Sequence, residues 1–274
     1  MRLMGFLESA SFFGRATRRY FVKLFALAVA CLVVVGSASA RVSAAEEKNR
    51  VNLLVVSVFQ RAIQEIVPLY ERTHPGVHVQ PTYAGAVALR GAVASDNAAG
   101  DMILIGATSL PFMAGKIGPA VEICHYQQAI LVLRTGSKVH DLKDFANPGV
   151  RLAGPTKTSP ASAYMHEVLS KASAEYGADF EKKVMANMVV SRPSSGEVRG
   201  VVETGSVDAG LDYTSDVSEK VTTIAIPDRF NVVTVGKGAL INSGEHAAAA
   251  KDLLEFLQSP QAKAVFHKYH MDTP

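Results

Sequence analysis

The chain has 274 residues, with 28 lysines and arginines against 25 aspartates and glutamates, two cysteines and no tryptophan. Six of the basic side chains (Arg2, Arg15, Arg18, Arg19, Lys23, Arg41) and one acidic one, Glu8, fall in residues 1–44, leaving 22 basic against 24 acidic groups. That balance offers no footprint for nucleic acid, and one remaining cysteine, Cys124, excludes an internal disulfide, so the fold must rest on an apolar core.

Residues 1–44 read as an export leader rather than as part of the fold. Thr17-Arg18-Arg19-Tyr20-Phe21-Val22-Lys23 has the adjacent arginines, aromatic and lysine of a twin-arginine motif. The apolar run Leu24–Val35 follows, too short for a permanent bilayer span. Small residues then offer signal-peptidase sites near Ala40 and Ala44. Cys31 lies within the apolar run behind Ala28-Val29-Ala30, a poor lipidation context. These features predict export from a bacterial cytoplasm, with the mature protein in the periplasm.

From Arg50 onward, strands and helices alternate. Val51–Val56 is a short β-branched run, as expected of a parallel strand covered on both faces. Ser57 and Gln60 have the spacing of a capping box ahead of Phe59, Ala62, Ile63, Ile66 and Tyr70 at helical period. Pro68 predicts a kink or an early end to that helix. Val77–Tyr83 reads as a second strand, Gly85-Ala86 opens a second helix to about Ser95, and Asp101–Gly106 is a third strand. Right-handed crossovers make this βαβαβ unit a parallel sheet.

Gln127–Leu133 reads as a strand leaving that unit for a second α/β set: strand Val150–Ala153, a helix from Pro160, strand Met188–Ser191, a helix from Ser195 and strand Ala209–Tyr213. Phe230–Val235 and Ala239–Ile241 return, and helices Glu245–Gln258 and Pro260–Tyr269 end the chain. The pattern predicts an α/β protein of two lobes, each a mostly parallel sheet flanked by helices, with a ligand cleft between them. Residues 45–126 and 228–274 form lobe I and residues 127–227 form lobe II. Two lobes joined by more than one crossing make a hinged clamp.

Four turns supply helix starts at strand ends, where free amides and the helix dipole suit an anion. They are Ser57-Val58, Gly85-Ala86, Ser159-Pro160-Ala161 and Ser194–Val198. Ser159 is a natural N-cap with Pro160 at the first helical position, and Ser194 with Glu197 repeats the capping-box spacing. Tyr213, closing its strand, adds a phenol donor. Arg61, Arg90, Lys157 and Arg199 are basic residues able to draw an anion inward, although such groups are more often solvated surface charges. Asp101 is placed to anchor the hinge or a neighbouring turn, or simply to cap a strand end.

At these residues the chain resembles the molybdate-binding proteins of bacterial ABC importers, in the type II periplasmic binding-protein superfamily. The resemblance runs through Val55–Val67, Asn147–Val150, Pro160–Leu169, Glu197–Gly200, Gly205–Asp216 and Ala249–Tyr269. It implies ligand contacts at Val58, Ala86, Ala161, Val198 and Tyr213, with Ser57, Gly85 and Ser159 beside them. The family usually has serine where this chain has Val58 and Ala86. Two lost hydrogen bonds to a charged ligand would cost roughly 1.5–3 kcal/mol each, so the resemblance implies either weaker molybdate binding or a different anion. It also implies an inner-membrane permease as partner, a monomer, and no resident cofactor or metal.

A receptor for another anion (organic phosphate, sulfate or a small carboxylate) and a periplasmic enzyme on the same scaffold are the rival readings. Against the enzyme, no nucleophile–base pair, Walker loop, C-x-x-C or G-x-S-x-G elbow is present. His166-Glu167 begins like a zinc motif, but position 170 is serine. His267 and His270 have metal-compatible spacing with only Asp272 nearby as a third ligand.

Overall fold

The computed structural model describes residues 50–95 and 100–274, and the leader motif and Cys31 lie outside them. Nine strands occur among the described residues: β1 (Arg50–Val56), β2 (His78–Ala84), β3 (Met102–Gly106), β4 (Val121–Leu133), β5 (Leu152–Pro155), β6 (Met188–Arg192), β7 (Ala209–Tyr213), β8 (Val221–Ala225) and β9 (Val233–Leu240). The helices are α1 (Gln60–Thr73), α2 (Ala86–Ala94), α3 (Pro160–Tyr176), α4 (Phe180–Asn187), α5 (Ser195–Glu203), α6 (Ala247–Phe256) and α7 (Pro260–Lys268). None is long and apolar enough to cross a membrane.

The strands run in the order β2-β1-β3-β9-β4-β7-β5-β6, with β8 paired to β4. β2, β1 and β3 are parallel, as are β7, β5 and β6. Between these two parallel groups β4 changes partners. Its residues 121–127 lie antiparallel to β9, and its residues 128–133 antiparallel to β7 and β8. One strand therefore belongs to both halves of the sheet, giving the two-lobed type II binding-protein architecture.

Each half packs its own apolar core. Phe59, Ile63, Ile66 and Tyr70 of the first segment meet Leu253, Leu257 and Phe266 from the C-terminal helices. Phe145, Leu152, Val168, Leu169, Phe180 and Phe230 cluster in the other half. In α1 Ala62, Ile63, Ile66, Val67 and Tyr70 recur at helical intervals and are buried. Pro68 sits within that helix without ending it. Its exposed position, like that of Gln64 one turn back, leaves the carbonyl it cannot satisfy open to water.

Several expectations are corrected. Ser57–Phe59 forms a short 3-10 turn, and Ser57 caps no amide, so the Ser57–Gln60 capping box is absent. β4 begins at Val121 rather than Gln127, and the return is the single strand β9. β8 and α4 are additions that the sequence reading lacked. Asp101 is an anchor rather than a plain cap. Its carboxylate accepts from the Asn52 amide (2.7 Å), from the His246 amide (2.9 Å) and from the His246 ring, tying the first strand to the approach of α6. Burial alone would raise its pKa, but these donors outweigh burial and hold it below the usual carboxylate value.

A carboxylate held low in the folded state contributes stability above its unfolded pKa of about 3.9, and that contribution is lost as pH falls through the folded value. Asp101→Ala should therefore cost roughly 1–3 kcal/mol at neutral pH and much less at pH 3. Urea unfolding at both pH values measures this, and an equal loss at both would contradict the anchor.

Candidate functional site

In a parallel group all strands point their carboxyl ends to one edge, and here the two groups point those edges at each other. Val56, Gly106, Pro155, Arg192 and Tyr213, the last residues of β1, β3, β5, β6 and β7, line one cavity of ≈ 40 Å³, as does Gly85 just past β2. All eight residues singled out in the sequence stand in its wall: Ser57, Val58, Gly85, Ala86, Ser159, Ala161, Val198 and Tyr213. Three first turns of helices border it, those of α2, α3 and α5. The first amides of a helix have no acceptor within it, so each turn brings donors to the wall.

The individual turns differ in detail. At α3, Ser159 is the N-cap, its hydroxyl accepts from the Ala161 amide at 3.3 Å, and Pro160 is the first helical residue. Gln128, fully buried in β4, donates its amide nitrogen to the Ala161 carbonyl at 3.3 Å and so ties this turn to the shared strand. At α5 the Ser194 hydroxyl donates to the Glu197 carboxylate and neither side chain bonds an amide, so the expected capping box is absent. The Val198 amide is already engaged by the Ser194 carbonyl at 3.2 Å. The free amides of this turn are therefore earlier, at Ser195 and Gly196.

The hydroxyls are better placed than the sequence suggested. Among the described residues, those of Ser57, Tyr126 and Tyr213 form no hydrogen bond. The Tyr126 and Tyr213 rings meet edge to face at 5.1 Å, and Tyr126 packs likewise on Phe59 at 5.2 Å. The Tyr126 hydroxyl lies over Gly106, where a Cβ would sit 2.8 Å from it. Burial, reinforced by neighbouring acidic groups, holds both phenols well above their ordinary pKa. Both phenols therefore remain protonated donors in neutral solution. Ser109 adds a buried hydroxyl that finds no partner.

The halves are closed on each other around this space. The Thr108 and Tyr164 hydroxyls, from opposite halves, are 2.8 Å apart. Ser215 donates to the Val58 carbonyl at 3.0 Å. Gly85 is glycine because of this closure. Its φ of −68° suits any residue, but a Cβ would lie 2.4 Å from the Pro193 carbonyl oxygen of the other half.

Of the basic residues named from sequence, none reaches the cavity wall. Arg90 and Lys157 line a shallower recess that shares Thr108, Ser159, Pro160 and Tyr164 with it. Arg199, within α5, lies 3.2 Å from Asp216 and 3.4 Å from Glu203. The cation in the wall is Arg192, which the sequence reading passed over, together with Thr108, Tyr126 and Asp212. Among the described residues no group of three or more histidine, cysteine, aspartate or glutamate side chains is placed to hold a metal ion. His267 instead meets the Thr273 hydroxyl at 2.9 Å.

Known proteins resemble this chain in sequence and in fold. The chain is 28% identical over 259 residues to a putative ABC transporter substrate-binding lipoprotein, YvgL, of Bacillus subtilis, covering 90% of this chain and 96% of that protein. It is 24% identical over 253 residues to the molybdate-binding protein ModA of Mycobacterium tuberculosis, covering 88% and 92%. The fold matches that of the sulfate-binding protein SubI from M. tuberculosis with a TM-score of 0.70 at 17% identity, over 82% of this chain and 87% of that one. Residues 51–272 match the family of bacterial extracellular solute-binding proteins, and the chain belongs to that family.

Proposed function

We propose that the protein is an extracytoplasmic receptor that captures a small oxyanion of the molybdate or tungstate kind and delivers it to an ABC importer. Lobe I (45–126 and 228–274) and lobe II (127–227) act as the jaws, and the leader in residues 1–44 exports the chain to the periplasm. The observation that carries this reading is the cavity between the halves, lined by helix starts and unpartnered hydroxyls. A water needs about 10–15 Å³ of such space, so ≈ 40 Å³ accommodates a few water-sized groups, the size class of a tetrahedral oxyanion.

The donor chemistry supports the same ligand class. An anion removed from water must recover hydrogen bonds from the protein, and neutral amides and hydroxyls supply them without a second charge to desolvate. The relatives named as ABC substrate-binding and molybdate-binding proteins support transport. Ser57 carries the hydroxyl that Val58 lacks, one residue earlier in the same turn, while Ala86 has no such substitute. A different small oxyanion, sulfate or phosphate, is the second reading, favoured by that missing hydroxyl, and Asp212 in the wall favours a protonated anion such as hydrogen phosphate in particular. The size of the closed cavity disfavours larger organic anions.

A thermal-shift screen of the purified protein against molybdate, tungstate, sulfate, phosphate and small carboxylates tests the reading. A ligand at 100 times its dissociation constant should stabilise by about 2.7 kcal/mol. Stabilisation by no member of the panel would refute it. Tyr213→Phe should weaken the responding anion about tenfold or more by calorimetry, the value of one hydrogen bond to a charged group, and unchanged affinity would remove the phenol from the site. Gly85→Ala should lower affinity at least as far by holding the jaws apart. Its scattering profile in saturating ligand should remain that of the ligand-free protein, and a wild-type closure would contradict the contact with Pro193.

A further inference from the structure

Asp212 is out of place in an anion site. It sits in β7 two residues after Gly210, on the face where α5 packs closely enough that a Cβ at 210 would touch Val198 and Val202. Asp212 is 3% exposed, lines the cavity, and its Oδ2 has no hydrogen-bond partner. Arg199, the cation whose charge acts on Asp212, is committed elsewhere. Arg199 faces Asp216 at 3.2 Å and Glu203 at 3.4 Å, so one arginine stands among three carboxyl groups.

Two ionised groups, a carboxylate and an oxyanion, cannot share a closed cavity of ≈ 40 Å³ without a proton or cation between them. We propose that Asp212 makes anion capture proton-coupled, the closed cavity holding one proton between the Asp212 carboxyl and a ligand oxygen. This deepens the oxyanion-receptor reading and rests on it. The proton balance depends on the ligand. For sulfate or molybdate, which arrive fully ionised, the Asp212 carboxylate of the open protein takes one proton from water on closure and donates it to a ligand oxygen. Hydrogen phosphate brings its own proton, donates its hydroxyl to the Asp212 carboxylate, and binds without net uptake. Asp212 is thus the specificity-determining residue among small oxyanions.

The surroundings of Asp212 agree. Burial first, then the charge of Asp216, pushes its carboxyl well up, against the opposing pull of Arg199. Asp216 is itself raised to about 7 by burial, against the opposing charges of Arg199 and Arg61. From β4, Tyr126 faces the same space, with Tyr213 beside Asp212 on β7, and both phenols stay protonated across the neutral range. Arg192 at the end of β6 also lines the cavity but is not among the charges that act on Asp212. Of the two raised carboxyl groups, Asp216 and Asp212, only Asp212 lines the cavity.

The sign follows from these states. A carboxyl with an ordinary value in the open protein and a raised value in the closed complex favours binding at low pH. Affinity for a fully ionised anion then falls by up to tenfold per pH unit between those two values. Titration of the purified protein with molybdate, sulfate and phosphate at pH 6, 7, 8 and 9 should show the fall for the first two and a flat response to phosphate above pH 7.5. Calorimetry of the wild type in buffers of differing ionisation enthalpy should record uptake approaching one proton with sulfate or molybdate and none with phosphate. Asp212→Asn, isosteric and a permanent donor, should abolish the slope for molybdate and bind it at least tenfold more tightly than wild type at pH 9. Affinity flat with pH in the wild type, or a slope that survives in Asp212→Asn, overturns the proton coupling and leaves the receptor reading standing. Failure of every anion to bind the wild type at pH 6 refutes the receptor reading itself.

Discussion

The exchange of partners along β4 is the constraint from which the rest of the molecule follows. Gln127 pairs with Val233 in one half, and Gln128 pairs with Tyr213 in the other. Because the ladder is unbroken across that step, the carboxyl ends of two parallel groups are fixed at the same level on either side of it. Tyr126 and Gln128 occupy the step, one lining the cavity and the other holding the first turn of α3 through the Ala161 carbonyl. The buried Asn231 donates its side-chain amide to the Gln128 carbonyl at 2.9 Å, so the second crossing is tied to the first. A sheet built this way places donors from two cores around one small volume without any loop having to span it.

Most of the fold was legible in the residues because its central strands and helices obey simple periods. Val51–Val56, the α1 stripe and the Ser159-Pro160 start each carried an unambiguous local signal, and each forms at about its expected place. What escaped was structure whose signal is interrupted. Glu122 and His125 break the apolar run of β4, yet they pair with each other at 2.8 Å while Ile123, Cys124 and Tyr126 are buried. In α4 only Phe180 and Val184 are fully buried, with Met185 partly so, too short a stripe to stand out. β8 depends on β4 alone for pairing, a tertiary contact that its own residues do not encode.

The candidate site was legible as a set of turns and illegible as a donor set. Local rules locate a helix start, but they do not say which amides remain free. The Val198 amide is taken by Ser194, and the hydroxyl expected to cap α1 has no partner at all. Tyr126, Thr108 and Arg192 reach the cavity through strand register and through closure of the halves, which depend on residues far away in the chain. One signal was present and went unused. An aspartate inside Ala209–Tyr213, a strand buried at every position, contradicts its surroundings, and such local conflicts mark positions kept for something other than stability.

Closure explains how the conflict at Asp212 is sustained. While the halves are apart, water reaches the cavity wall, and an ionised carboxylate there costs little. Bringing Gly85 against Pro193 and Thr108 against Tyr164 removes that water, and the same step strengthens every donor facing the anion. The desolvation that tightens the hydroxyl and amide contacts therefore also makes the bare carboxylate untenable. Protonation and closure become one event, and the stability of the closed form depends on a group that no apolar core would tolerate. An uncharged residue at position 212 would ease closure for any anion, whereas an acid there makes closure depend on where the proton comes from.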